Sequence, residues 1–143
     1  MSDTLNLSRF LTAQEPTYQK ALAEIKSGRK QSHWMWYIFP QMAGLGFSDT
    51  AKFYGIKSRE EAIEYLDHPI LGSRLREISH ELLKIPHSDA YSVFGSPDDM
   101  KLKSCATLFS LIERSDENVF KKILDKFFGG QLDQKTEELV ARS

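Results

Sequence analysis

PILGSRLREISHELLKIP, residues 69–86, sets Leu71, Leu75, Ile78 and Leu82 at i, i+4, i+7 and i+11. That spacing lines one side of a 3.6-residue period, with Arg74, Arg76, Glu77 and Glu81 between the apolar positions. Pro69 suits the first position of such a helix, where its missing N–H costs nothing, and Pro86 stops it. The stripe predicts an amphipathic helix that must bury its apolar side against others.

The neighbouring stretches repeat the pattern. Toward the N-terminus, Ser58 and Glu61 form a capping-box pair ahead of Ala62, Ile63 and Leu66, and Asp67-His68-Pro69 interrupts that helix. Earlier still, Pro16 is read as the first position of a helix carrying Tyr18, Ala21, Leu22 and Ile25, which Gly28 ends. Phe10 and Leu11 mark a shorter turn before it. Toward the C-terminus, Tyr91-Ser92-Val93-Phe94-Gly95 alternates briefly, too short a run to support a sheet. Ser96-Pro97-Asp98-Asp99 then reads as a helix start, with Ser96 as cap and two acids at the positive end. Leu102, Cys105, Ala106, Phe109 and Ile112 are its apolar face. Val119, Phe120, Ile123, Leu124 and Phe127 form the next, closed by Gly129-Gly130, and a weaker helix runs from Gln134 to Ala141. No repeat or long linker divides residues 1–143, so the expectation is one all-α domain of about seven short-to-medium helices.

Composition agrees. Leu outnumbers Val plus Ile by 16 to 12, which favours helix over strand. Leu, Ile, Val and Phe total 37 of 143 residues, enough to exclude a disordered chain. The net charge of -1 argues against a general polyanion-coating role, and no apolar run approaches a membrane span. Met1-Ser2-Asp3-Thr4 has neither the basic nor the apolar region of a secretory signal, so the expected compartment is the cytoplasm. The single cysteine, Cys105, excludes an internal disulfide and a Cys-rich zinc site.

The unusual segment is GRKQSHWMWYIFPQMAGLG, residues 28–46, which holds both tryptophans, Trp34 and Trp36. No Asp or Glu occurs between Glu24 and Asp49, while Lys26, Arg29, Lys30 and His33 do. Ser32 is read as the cap of a short helix from His33, whose free N–H groups would face Arg29 and Lys30 and suit a phosphate. Two structural readings compete. Aromatic residues are mainly core material, and distant acids such as Asp98 or Asp99 would turn the cations into an ion-pair network. On a helix Trp34 and Trp36 lie about 200° apart, so at most one faces a ligand beside His33.

Other chemistry is sparse. His33, His68, His80 and His87 have no metal-ligand spacing, so neither metal nor cofactor is expected. Cys105, on an apolar stripe, reads as a buried small hydrophobe. No phosphate-binding or nucleophile-elbow motif occurs, and catalytic residues are unassigned, with His33 and Asp99 as candidates.

The block from Gly28 through Gln41, followed by Gly44-Leu45-Gly46, resembles the signature of a family of small bacterial proteins catalogued as a domain of unknown function and often labelled calpastatin. The resemblance continues through His68 to Gly72, Arg74-Leu75, Phe94-Gly95, Asp99 through Ser104, Thr107 to Phe109, and Asp133 with Thr136. It implies an all-α fold and no established activity. The label fits poorly, because that inhibitor is a disordered repeat protein and this composition is that of a packed domain. A more distant resemblance, carried by the order of elements and by Ala62-Ile63, Pro69, Leu71-Gly72 and Arg74, is to the NADAR superfamily. It implies a site for an ADP-ribose-like or phosphorylated nucleoside compound and N-glycosidic hydrolysis. The acidic residue of that superfamily's aromatic helix and its late Trp-Gly motif are absent here.

The expected ligand-binding set is Arg29, Lys30, Ser32, His33, Trp36, Gln41, Asp99 and Lys101. The alternative is a non-catalytic interaction module that uses the exposed part of the aromatic block. Nucleic acid is disfavoured by the balanced charge, and the oligomeric state is not legible.

Overall fold

Ten helices succeed one another in the computed structural model, which describes residues 5–143. Met1 to Thr4, the residues read as lacking a secretory signal, lie outside the described residues. The helices are α1 (Ser8–Gln14), α2 (Tyr18–Lys26), α3 (Met35–Ile38), α4 (Asp49–Tyr54), α5 (Arg59–Asp67), α6 (Leu71–Leu83), α7 (Ala90–Phe94), α8 (Asp98–Ile112), α9 (Val119–Phe128) and α10 (Gln134–Arg142). Seven of them span seven or more residues, as the periodicity indicates; the short α3, α4 and α7 are additional. Among the described residues the only strand-like pairing is one parallel bridge, Met42 with Ile56. The fold is all-α. No helix of the described residues is long and apolar enough to cross a membrane.

Helix α6 lies at the centre and packs on α2, α5 and α9. Its stripe of Leu71, Leu75, Ile78 and Leu82 is fully buried. Phe109, Ile112, Phe120, Ile123 and Leu124 join it in one core, which also takes in Cys105. Gly72 makes the α5–α6 elbow possible without any unusual backbone angle: a Cβ there would stand 2.0 Å from the Leu66 carbonyl oxygen. His68 supplies the elbow's cap, its Nδ1 accepting from the N–H groups of Ile70 and Leu71.

Several local expectations need correction. The brief alternation from Tyr91 to Gly95 belongs to a helix: Ala90–Phe94 forms α7, with Asp89 accepting from the Ser92 N–H as cap. Helix α8 begins at Asp98, so Pro97 stands at the cap position and Ser96 does not cap. Pro16 precedes α2 by two residues rather than opening it. In α5, Ser58 accepts from the Glu61 N–H as the capping box requires, while Glu61 Oε1 accepts from Lys57, one residue before the cap.

The other oxygen of Glu61 has a different partner. It lies 2.8 Å from the Arg9 guanidinium, and both side chains are 2% exposed. Arg9 also donates to the carbonyls of Leu5, Asn6, Phe53 and Gly55. A buried charge is tolerated only when paired, as these two are; Glu61 Oε2 has the ion pair but no hydrogen bond among the described residues. The clamp ties the N-terminal segment to the C-terminal end of α4 and the first turn of α5.

Candidate functional site

The loop after α2 is set first by its own backbone. Gly28 takes a left-handed conformation, with its N–H on the Ile25 carbonyl and that of Arg29 on the Glu24 carbonyl, a Schellman ending. The Glu24 side chain then organises residues 31–34. Its Oε1 accepts from the Gln31 N–H at 2.7 Å, the Ser32 N–H at 3.0 Å and the Trp34 indole N–H at 2.9 Å. Its Oε2 accepts from the Ser32 hydroxyl at 2.7 Å. Burial alone would push this carboxyl up, but the donors together outweigh it and hold it down at about 2.

That arrangement corrects the expected anion site. Helix α3 starts at Met35, with Trp34 at its cap position and no side-chain cap, so Ser32 does not open a helix at His33. The N–H groups of Gln31 and Ser32 are met by the protein's own carboxylate. The window free of acids in sequence is closed in space by the acid that precedes it.

The cations have different fates. Lys30 Nζ lies 2.8 Å from Asp98 Oδ2, and Lys101 Nζ lies 3.1 Å from Asp98 Oδ1. Two ammonium groups therefore share one carboxylate. Burial opposes the charge on Asp98, but its two lysines prevail and keep the carboxyl below its ordinary value. Lys30 also donates to the Ser32 carbonyl and stands 5.1 Å from the Trp34 ring. Lys101 sits over the Trp36 ring at 3.8 Å, a close cation–π contact. The Arg29 side chain, by contrast, has no ion pair or hydrogen bond among the described residues and is exposed.

Arg29 and Lys30 line one side of an open groove of about 480 Å³, with Tyr91, Ser92, Val93, Phe94 and Gly95 on the other. A backbone hydrogen bond from the Lys30 N–H to the Val93 carbonyl, 2.8 Å, ties the two sides together. Tyr91 is 62% exposed, leaving an aromatic ring in solvent beside the two cations. Trp36 and Gln41 belong to a separate small hollow with Met42, Leu45, Tyr54 and Gly55, whose volume of about 10 Å³ holds no more than a water.

The expected residues are thus divided. Arg29 and Lys30 meet at the groove, and Lys30, Lys101 and Trp36 are joined through Asp98. Ser32 is committed to Glu24. His33 is exposed, with its carbonyl engaged by the Tyr37 hydroxyl at 3.4 Å. Asp99 accepts from the Met100 N–H, and no hydrogen bond or ion pair among the described residues joins it to His33. Trp34 is buried and Trp36 half-buried, so only the latter is open to a ligand. No cluster of three or more metal-ligating side chains occurs among the described residues.

Two contributors were not legible as such. Tyr91 carries no motif. Glu24 did leave a signal, because an acid in the last turn of a helix faces the negative end of the dipole and needs a compensating set of donors.

Comparisons with known proteins cover nearly the whole chain. The family model described as protein of unknown function (DUF1810) matches residues 4–140. The chain belongs to the DUF1810 family. A solved structure from Mycobacterium tuberculosis, the conserved hypothetical protein Rv1873 at 1.38 Å, is similar to it. It shares 42% identity over 97% of this chain and 99% of that one, with a TM-score of 0.93. No curated protein matches the chain. The DUF1810 match spans both segments that line the groove, the loop after α2 and α7 with Gly95.

Proposed function

We propose that the groove between Arg29 and Tyr91 binds the anionic end of a small phosphorylated ligand of the ADP-ribose or nucleoside-phosphate class. The observation that carries this reading is an unpaired cation. Asp98 pairs with both Lys30 and Lys101, whereas Arg29, at the same groove, has no ion pair among the described residues. A phosphate would supply the counter-charge that Arg29 lacks, with Arg29 offering a bidentate fork and Tyr91 a stacking surface for a base.

The reading is one of binding. The NADAR resemblance adds N-glycosidic hydrolysis, but the acid–base pair for it, His33 and Asp99, is not joined by any hydrogen bond or ion pair among the described residues. The interaction-module reading has less to stand on, since Trp34, Met35, Ile38 and Phe39 are core residues and only Trp36 and Tyr37 of those aromatics reach solvent. A cytoplasmic setting suits a phosphorylated ligand and one free thiol.

Calorimetric titration with ADP-ribose, AMP and inorganic phosphate tests the proposal. Binding of at least one, lost in Arg29→Ala with an unchanged melting temperature, is the expected result. No heat from any of them with the wild type would remove it.

A further inference from the structure

Asp98 stands between two lysines, one of which, Lys30, lines that groove. Each of its oxygens faces a different ammonium, Lys30 at 2.8 Å and Lys101 at 3.1 Å, in the way two phosphate oxygens would bridge the same pair. The Lys30 side chain is only 7% exposed, whereas Asp98 is 19% exposed and is the more open of the two. Lys30 lines the groove, yet its ammonium is already engaged by Asp98 and the Ser32 carbonyl. An incoming anion thus meets a free cation at Arg29 and an occupied one at Lys30.

We propose that Asp98 is a resident competitor, a side-chain anion that a phosphorylated ligand must displace from Lys30 and Lys101. This rests on the reading of the groove as an anion site and adds its regulation: affinity is set by the exchange of one anion for another. Removing the carboxylate frees two ammonium groups and deletes a like charge beside the ligand. The position can lose its acid without losing its helix, because Asp99 remains in the first turn of α8 to face the dipole.

Titration of the wild type, Asp98→Asn and Asp98→Ser with AMP at low salt distinguishes the possibilities, and the two variants guard against a folding defect peculiar to either. Both variants are expected to bind about tenfold tighter than the wild type, a gap that narrows at high salt as screening shortens the reach of the carboxylate. Arg29→Ala in the Asp98→Asn background should weaken binding again. Wild-type binding that is unchanged or weakened in both variants would overturn the competitor and leave the groove reading intact. Absence of binding in the wild type and both variants would overturn the groove reading and the competitor with it.

Discussion

The Trp34 indole N–H donates to the carboxylate of Glu24, ten residues earlier, at 2.9 Å. The same carboxylate holds the N–H groups of Gln31 and Ser32 and the Ser32 hydroxyl, so one side chain fixes the path of the loop that presents Arg29 and Lys30. The loop is shaped by a charge the protein carries within itself.

Glu24→Gln should therefore loosen this loop and change the acid profile. The carboxyl is held at about 2 in the fold against an ordinary 4.5, so its stabilisation is present above pH 4.5 and is lost as pH falls toward 2. With solvent screening allowed for, about 1–2 kcal/mol is at stake. Urea midpoints measured between these pH values should fall steeply for the wild type and more shallowly for the variant. Parallel curves would mean that the four donors do not stabilise the charge.

Leu75→Ala probes the central stripe. The side chain is 1% exposed at the heart of α6, so truncation should cost about 2–5 kcal/mol by chemical denaturation. A loss under about 0.5 kcal/mol would contradict its place in the core.

The Arg9–Glu61 pair makes a different kind of demand. Arg9→Met leaves a carboxylate buried without its partner and should cost about 3–5 kcal/mol. Adding Glu61→Gln should recover part of that loss, because the stranded charge is then gone. A double variant as unstable as the two single losses combined would show that the clamp acts through the carbonyls of Phe53 and Gly55, without coupling to Glu61.

Cys105 should be inert. Burial pushes its thiol well above the ordinary value, and it packs in the apolar core. A thiol-reactive dye should label the native protein slowly and the denatured protein at once. Rapid native labelling would contradict its burial.

The long helices were legible because their apolar residues recur at the helical period and must be buried together, as Leu71, Leu75, Ile78 and Leu82 are. Helix α7 was not, since five residues hold too little periodicity to separate a helical turn from an extended run. Helix α4 was missed although Ser48 caps it, because its Phe53 is exposed and no apolar stripe marks it. At the site, the cations and the aromatic block could be read from composition, but their partners could not. Lys30 found Asp98 through long-range packing, and Ser32 found Glu24 across the turn at Gly28, neither of which a local charge window encodes. Of the three cations at the site, Arg29 alone kept the exposed state, with no ion pair among the described residues, that an anion site needs.

The most direct measurement of the central claim is a backbone-amide NMR titration of the wild type with AMP. Shifts are expected to concentrate at Arg29, Lys30 and Tyr91 to Gly95, the residues that line the groove, and to vanish in Arg29→Ala. A spectrum that does not move, or one that moves only at sites away from these residues, would contradict it.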